Sequence, residues 1–452
     1  MIVLRKRLLI WLIKAYITRW GRNIAIYFGI GLLVFFIINI ALSSFITRLP
    51  FIEKETIGMV GPYTTDDLPQ EILSKISRGL TKTEKDGGVK PDVAEKWRIA
   101  PNGKGYAFYL RKDLKFSDGS AVTADNIEYG FSDVSVLKPD KHTIVFNLRD
   151  TYSPFLTTVS RPIFKKGFVG IGEYKVKKIK LNGDFVESIE LYSEKSRKSL
   201  TYELFYPTAL SLKTAFALGE VSKITNLPDV NFKGTSFNSF KNAKVEKKVN
   251  YAKLVTLFFN TKNSTLSSKA LREGLSYTMP DNFSQGERNA SPLSRFSYAN
   301  QDGVDIYRQD SEHAQLLIDS SGLATASGKI SLTMNTLPKY EETAKKIAEV
   351  WKQLNIETTI QITNQVPQSF QIFLGEFNIS PDPDQYALWH SSQVNNITHY
   401  DNKRIDKLLE DGRKELDIEK RKIIYADFKK YILADPPASF LFFPYYYEVS
   451  TK

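Results

Sequence analysis

Asp382 and Asp384 are the residues whose type and spacing come nearest to a catalytic arrangement. They belong to the stretch Pro381 to Trp389, in which Tyr386 and Trp389 follow at short spacing. Two carboxylates beside aromatic side chains are the groups that a glycoside hydrolase uses. However, carboxylates at positions i and i+2 around prolines are more typical of a polar loop. The stretch therefore favours a loop, and we predict no reaction from it.

Other residue types that support catalysis or metal binding are sparse. The chain contains no cysteine, which excludes disulfides and thiol chemistry. Gly170 and Gly172 precede a strand-like stretch rather than a helix, so a turn is favoured over a phosphate site. Packed or solvent-exposed roles are commoner than ligation for the four scattered histidines, His142, His313, His390 and His399. We therefore expect no enzyme activity and no cofactor.

The net charge of +12 is unevenly distributed along the chain. Seven of these charges lie in residues 1–50, which contain no Asp or Glu, and five belong to the remaining residues. The lysine-rich runs 175–180 and 244–248 are interrupted by apolar or acidic residues, as on a solvated strand face. We therefore expect no nucleic-acid partner.

An apolar run near the N-terminus predicts a membrane segment. Ile24 to Ile46 is 23 residues long without a charge, enough to cross a bilayer as a helix. Residues 1–23 contain six basic residues, so the positive-inside rule places them in the cytoplasm or at the lipid interface. Ala41 to Ser43 would permit signal cleavage, but the length of the run favours a retained anchor. We predict a single-pass cell-membrane protein that contacts lipid through residues 24–46, with a tether over 47–66 and an extracytoplasmic main domain.

The stretch from Gly88 to Phe131 has the most definite local pattern. A strand pattern over Gly105 to Leu110, marked by Tyr106, Phe108 and Leu110, follows the turn 101–103, which predicts a hairpin. A second turn is expected at 116–119, and Thr123 is the type of residue that begins a helix. None of these residues has catalytic spacing.

The order of these motifs resembles one family closely. P-x-x-A-E-x-W, N-G-x-x-Y-x-F-x-L-R, F-x-D-G and T-A-D-N-I follow one another, as in the extracellular solute-binding proteins of the peptide, opine and nickel class, family 5, which serve ABC importers. The resemblance extends over about residues 70–450. It implies a binding protein without catalysis, whose partners are a peptide or other small-molecule ligand and an ABC permease.

The resemblance also implies the fold. We expect an α/β fold of the two-lobe periplasmic-binding-protein type (type II) with a hinge, preceded by the transmembrane helix. Lobe I is predicted over 67–250, completed by 434–452, and lobe II over 251–433. Independently, 452 residues exceed one ordinary core, and the β-α-β pattern of 329–362, with its helix over 341–354, predicts an α/β lobe.

The ligand-binding residues are predicted from three positions that resemble landmarks of the family. A buried-type strand over 254–259 ends near the expected crossover between lobes, where its last polar residues either line the cleft or cap the strand. The D-P-D phrase belongs to the cleft, and an N-x-x-x-Y-x-N turn follows it. The candidates are Asn260, Thr261, Asp382, Asp384, Tyr386, Trp389, Tyr400 and Asn402.

Two departures from the family leave an alternative open. In peptide receptors an Asp three residues ahead of the D-P-D phrase pairs with the ligand's ammonium, but that position is Ile379 here. Between Phe131 and Lys141 the long helical stretch of the relatives is missing. The leading hypothesis is solute binding for import. The alternative is a degenerate family member that acts as an anchored sensor or protein-interaction partner.

Overall fold

The computed structural model describes residues 6–46, 54–193, 199–300, 307–323 and 329–452. Their strands are β1 Lys54–Val60, β2 Thr81–Thr83, β3 Val89–Pro91, β4 Ala94–Ile99, β5 Gly105–Leu110, β6 Val134–Asp140, β7 Thr143–Leu148, β8 Tyr174–Asn182, β9 Phe185–Ser193, β10 Ser199–Tyr206, β11 Lys223–Leu227, β12 Asn231–Phe232, β13 Thr235–Ser236, β14 Ala243–Val249, β15 Lys253–Phe259, β16 Gly286–Arg288, β17 Ile330–Thr336, β18 Ile356–Ile362, β19 Ile372–Asn378 and β20 Ala438–Thr451.

Helices are interspersed with these strands. They are α1 Lys6–Ile46, α2 Gln70–Ile76, α3 Phe155–Thr158, α4 Ala209–Ala217, α5 Lys269–Tyr277, α6 Ser311–Ser320, α7 Glu341–Gln353, α8 Tyr386–Trp389, α9 Lys403–Lys414 and α10 Ile418–Ala434. Short 3-10 turns occur at Ala124–Asn126, Phe237–Ser239 and Pro338–Tyr340.

Helix α1 contains the predicted membrane segment and is described by itself. Within the described residues, no single helix is long and apolar enough to cross a membrane alone. The segments Ile10–Asn23 and Ala25–Asn39, which meet at a bend of 58°, meet the length and composition criteria only together. The predicted transmembrane helix is therefore not confirmed. Residues 47–53 of the predicted tether lie outside the described residues.

A twelve-stranded mixed sheet forms the framework of residues 54–452. Ten strands follow in the order β18-β17-β19-β15-β20-β11-β1-β10-β9-β8, while β14 and β16 pair with β20. The end of the chain links two regions of this sheet, because Ala438 to Phe442 of β20 pair with β15 and Tyr445 to Thr451 pair with β14. The lobe bounds given above stay a prediction, but one strand contacts both predicted lobes.

The motif-rich stretch forms a separate four-stranded antiparallel sheet, β4-β5-β7-β6, which we call the hairpin sheet. Strand β5 matches its predicted bounds, and Tyr106, Phe108 and Leu110 are buried beneath it. The turn glycines Gly103 and Gly119 both have positive φ, which explains why glycine suits these positions.

One local prediction in this region was wrong. Thr123 precedes only a 3-10 turn, and the chain is extended again at Ile127. Its hydroxyl makes no capping hydrogen bond, so a longer helix lacks its expected start. Between Phe131 and Lys141, where the long helical stretch of the relatives is missing, β6 forms the edge of the hairpin sheet, a strand that was not predicted. Pro139 is tolerated there because an edge strand leaves one row of backbone donors unpaired.

The predicted β-α-β unit is present. Strands β17 and β18 pair in parallel and α7 connects them, with Ile347 and Trp351 fully buried. These side chains join a core that also contains Leu257 and Leu275. This core fixes β15 and β19, the two strands that precede the predicted binding residues.

Candidate functional site

The loop that follows β19 is fixed by two ion pairs to the helices after it. The Arg421 guanidinium binds both oxygens of Asp382, at 2.8 and 3.0 Å. Both side chains are buried, with 6% of Asp382 and 3% of Arg421 exposed. Asp384 binds Nε of Arg413 at 2.9 Å. Burial raises the pKa of the Asp384 carboxyl, and Arg413 opposes that shift only in part. The two carboxylates therefore hold the loop in place, and each is already paired with an arginine.

Arg413, which Asp384 holds in place, also lines a cavity of about 750 Å³. Its guanidinium lies 4.2 Å from the ring centre of Tyr386 and 5.2 Å from that of Tyr152, within cation–π range. The backbone N–H of Ser153 donates to the Arg413 carbonyl at 2.7 Å. The hairpin sheet and the end of α9 thus meet beside this space, which we call the α9 cavity.

The α9 cavity has two walls from distant parts of the sequence. One consists of the ends of β6 and β7 and the segment after them; the other consists of α8 and α9. The lining residues are Phe131, Asp133, Val134, Leu148, Arg149, Asp150, Thr151, Tyr152, Phe155, Thr158, Tyr386, Glu410, Arg413 and Lys414. Both the volume and the mixture of aromatic and charged groups are typical of small-molecule sites.

Of the predicted ligand-binding residues, Tyr386 lines the α9 cavity and Asp384 positions Arg413 there. Trp389 is 1% exposed and packs against Phe258 and Phe440. Its indole N–H donates to Gln385 at 2.7 Å. Trp389 thus supports the loop from behind.

The other predicted residues lie elsewhere. The amide of Asn260 donates to the Phe370 carbonyl and the hydroxyl of Thr261 to the Thr398 carbonyl, at 2.9 and 3.0 Å. These bonds match the capping alternative for the end of β15. Tyr400 lines a separate cavity of about 270 Å³ and is 3% exposed. Asn402 caps α9. The structure does not bring these four residues to the α9 cavity.

Ile379 is 5% exposed and belongs to an apolar cluster with Leu254 and Trp389. The structure therefore gives this position a packing role. On the preceding strand β19, the Glu376 carboxylate lies 2.6 Å from the Lys253 ammonium and 2.8 Å from the Lys339 ammonium. Burial alone would raise the pKa of Glu376, but the two lysines and the Tyr340 hydroxyl lower it to about 2.

Sequence reasoning missed several residues of this site. Arg413 and Arg421 were not selected because their partners are 29 and 39 positions away. A usable signal was the spacing of Arg421 and Tyr425, four residues apart, which places them on one face of a helix. In the structure both side chains are buried.

His390 is 7% exposed and stacks on Tyr386 with 4.2 Å between ring centres. Its Nε2 faces Glu410 at 3.4 Å. Among the described residues, no cluster of three or more His, Asp or Glu is arranged to hold a metal.

Comparisons with known proteins agree with this architecture. The oligopeptide-binding protein AppA of Bacillus subtilis is 23% identical to the chain over an alignment of 462 positions, gaps included, which covers 84% of the chain and 83% of AppA. The structure of AppA in complex with a nonapeptide has a TM-score of 0.66 at 21% identity and covers 88% of this chain and 95% of its own. NikZ from Campylobacter jejuni in complex with Ni(L-His) has a TM-score of 0.72 at 20% identity, covering 89% and 94%.

The two-lobe α/β fold predicted from the sequence is therefore the fold of these structures. The family described as bacterial extracellular solute-binding proteins, family 5 (middle), matches residues 88–398, more than half of the chain. That range contains the hairpin sheet, the strand β15 and the D-P-D loop. The chain belongs to the bacterial extracellular solute-binding proteins of family 5.

Proposed function

We propose that the protein binds a small polar or peptide-like solute in the α9 cavity and presents it to an ABC permease, without chemical conversion. The observation that carries this proposal is the cavity itself. Its 750 Å³ lie between the hairpin sheet and α9, and its walls combine four aromatic rings with charged side chains. Aromatic walls supply contact area, while a few polar groups orient the ligand.

Family membership supports the transport role. AppA of Bacillus subtilis is described with a nonapeptide and NikZ with Ni(L-His), so relatives of this fold bind peptide or metal–amino-acid ligands. For this chain we propose a peptide-like ligand, because the cavity walls combine aromatic rings with side chains of both charges. The residues Tyr386 and Arg413 would contact it, since both line the cavity.

We also propose that α1 anchors the protein to the cell membrane through residues 24–46. The side chains of Tyr27, Phe28 and Phe35 are 72%, 71% and 62% exposed, an arrangement that burial in lipid would stabilise. The basic residues that precede them would keep the N-terminus in the cytoplasm and the binding domain outside.

Native mass spectrometry of the full-length protein, purified in mild detergent from the producing cells, tests solute binding. We expect a small-molecule adduct that Tyr386→Ala and Arg413→Ala each reduce, because both remove part of the cavity wall. Leu416→Ala, a substitution of a neighbouring exposed residue outside the lining, serves as the control. An adduct of equal abundance in all variants would place the ligand elsewhere.

The alternative role, that of an anchored protein partner, is favoured by the buried Ile379 and by the short connection between Phe131 and β6. It predicts that the protein carries no adduct and that crosslinking captures one defined protein. An empty protein without such a partner would contradict both roles.

A further inference from the structure

We infer that residues 10–22 of α1 lie along the membrane surface, with an apolar face in the acyl chains and a basic face on anionic phospholipid headgroups. The inference goes beyond solute binding and rests on the proposed anchor at residues 24–46. It gives the segment before that anchor a lipid partner of defined charge.

The charge of this segment is the first observation. Its charged residues are Lys14, Arg19 and Arg22, and it contains no Asp or Glu. All three basic residues are exposed. Residues 24–39, which follow directly, contain no charged residue. Basic residues next to a membrane-spanning segment are attracted by anionic headgroups, so these charges complement a negatively charged lipid surface.

An apolar stripe runs along the same segment. Ile10, Ile13, Ile17 and Trp20 recur at intervals of three or four residues, which places them on one face of the helix. Their exposed fractions are 63%, 50%, 58% and 50%. Apolar surface of this kind is unfavourable in water, and a continuous exposed patch marks an interaction site. The stripe therefore requires an apolar environment.

The basic residues lie on the opposite face. Lys14, Thr18 and Arg22 follow one another at intervals of four residues, so they form a second stripe. Thr18 follows Ile13 by five residues, which is about 140° around the helix axis. A helix with one apolar and one basic face lies in the plane of a membrane interface, where its long cationic side chains reach the headgroups.

The bend in α1 agrees with this orientation. The segments Ile10–Asn23 and Ala25–Asn39 differ in direction by 58°. Membrane-spanning helices are tilted by about 20° from the bilayer normal on average. If Ala25–Asn39 begins the crossing, the bend inclines Ile10–Asn23 toward the membrane plane. The two segments then have separate roles, which their different compositions also indicate.

The aromatic residues of the segment are of the type found at membrane interfaces. Trp11, Tyr16 and Trp20 are 70%, 64% and 50% exposed. Trp and Tyr concentrate at the boundary between lipid and water, since their rings are apolar and their N–H or O–H groups are polar. These residues therefore fit the interface better than the bilayer centre or bulk water.

Site-directed spin labelling of the full-length protein in vesicles tests the orientation. The chain contains no cysteine, so a single introduced cysteine gives one label site. Ile13→Cys and Ile17→Cys sample the apolar face, Ala15→Cys and Thr18→Cys sample the basic face, and Val34→Cys samples the proposed anchor. The vesicles contain equal amounts of phosphatidylcholine and phosphatidylglycerol. Oxygen collides mainly with labels in lipid, and a water-soluble nickel complex collides mainly with labels in water.

We expect the labels at Ile13 and Ile17 to collide with oxygen and the labels at Ala15 and Thr18 to collide with the nickel complex. Lipid contact at all four positions would show that the segment crosses the bilayer. Water contact at all four would show that lipid does not cover the apolar face and would leave that face to a protein partner. Either result would overturn the inference.

Removal of the basic charges tests the lipid partner. Lys14→Gln, Arg19→Gln and Arg22→Gln are combined in the protein that is labelled at Ile17→Cys. The ratio of lipid-bound to detached segment should fall about a hundredfold, because each basic residue near an anionic surface contributes about a fivefold factor. Vesicles of phosphatidylcholine alone should cause a similar fall for the protein with its basic residues intact. An unchanged ratio in either case would overturn the inference.

The matched control combines Lys112→Gln, Lys141→Gln and Lys178→Gln, which remove three charges at exposed positions of the main domain. This variant should keep the ratio of the protein with all its lysines. An equal fall in the control would show that net charge, rather than the basic face of the segment, determines lipid contact, and would also overturn the inference.

The label at Val34 separates this inference from the proposed anchor. If that label is in lipid while the labels at residues 13–18 do not alternate, the inference fails and the anchor stands. If the label at Val34 is in water, both fail. Solute binding is measured separately, by mass spectrometry, and does not depend on either result.

Discussion

At the scale of single residues, Asp382 was predicted as a ligand contact, and the structure pairs its carboxylate with an arginine. The D-P-D phrase that contains it resembles a cleft motif of the family, but the sequence contains nothing that identifies the partner of Asp382. The partner, Arg421, belongs to a helix 39 positions later and is buried with it. The sequence therefore identified Asp382 as a candidate polar residue of the loop. It did not identify the ion pair with Arg421, because that pair depends on how α10 packs against the loop.

We predict that Asp382→Asn lowers the free energy of unfolding by about 3 kcal/mol or more, since it leaves the buried Arg421 charge without its partner. Urea unfolding followed by circular dichroism measures the change. Asp411→Asn is the control: Asp411 pairs with Lys407 at 2.7 Å on the exposed face of α9, and such solvent-screened pairs contribute little to stability. Similar losses in the two variants would show that the Asp382 pair is not buried as described.

Elements were predicted best where one face of a strand or helix is buried. Strand β5 and helix α7 have regular apolar patterns, and both were found close to their expected bounds. Strand β6 was missed because its seven residues, Val134 to Asp140, are mostly exposed and include a proline. Its position at a sheet edge, which makes such a composition acceptable, is a tertiary property.

Gly274 is an element-scale case in which the structure supplies the reason for a helix-weakening residue. A Cβ at this position would lie 3.0 Å from Ile318 and 3.1 Å from the Ala314 carbonyl of α6. Glycine in a helix interior costs about 1 kcal/mol relative to alanine. The close approach of α5 to α6 explains why glycine is accommodated.

We predict that Gly274→Leu destabilises the protein by about 1–3 kcal/mol, because the added side chain forces α5 and α6 apart. Thermal unfolding should show a lower Tm. Glu273→Leu, at the adjacent half-buried position of α5, is the matched control for helix propensity and hydrophobicity. If both variants unfold at the wild-type temperature, α5 and α6 do not pack as closely as described.

At the scale of the whole molecule, family membership and the two-lobe fold were predictable from the order of short motifs, and the family match confirms the recognition. The position of the α9 cavity was not. It depends on the contact of Ser153 with Arg413, which joins segments 260 positions apart. The predicted sites at Asn260 and Asn402 have other bonding roles, which local sequence could not distinguish from ligand contact.

Hydrogen–deuterium exchange of the full-length protein, with and without the solute identified by mass spectrometry, tests the central claim most directly. A solute in the α9 cavity should slow exchange together in residues 131–134, 149–152 and 410–414, because these form its two walls. Residues 330–336 of β17, outside the lining, should be unchanged. Protection confined to residues 260–261 or 376–379, with the cavity walls unaffected, would contradict the assignment of the α9 cavity as the binding site.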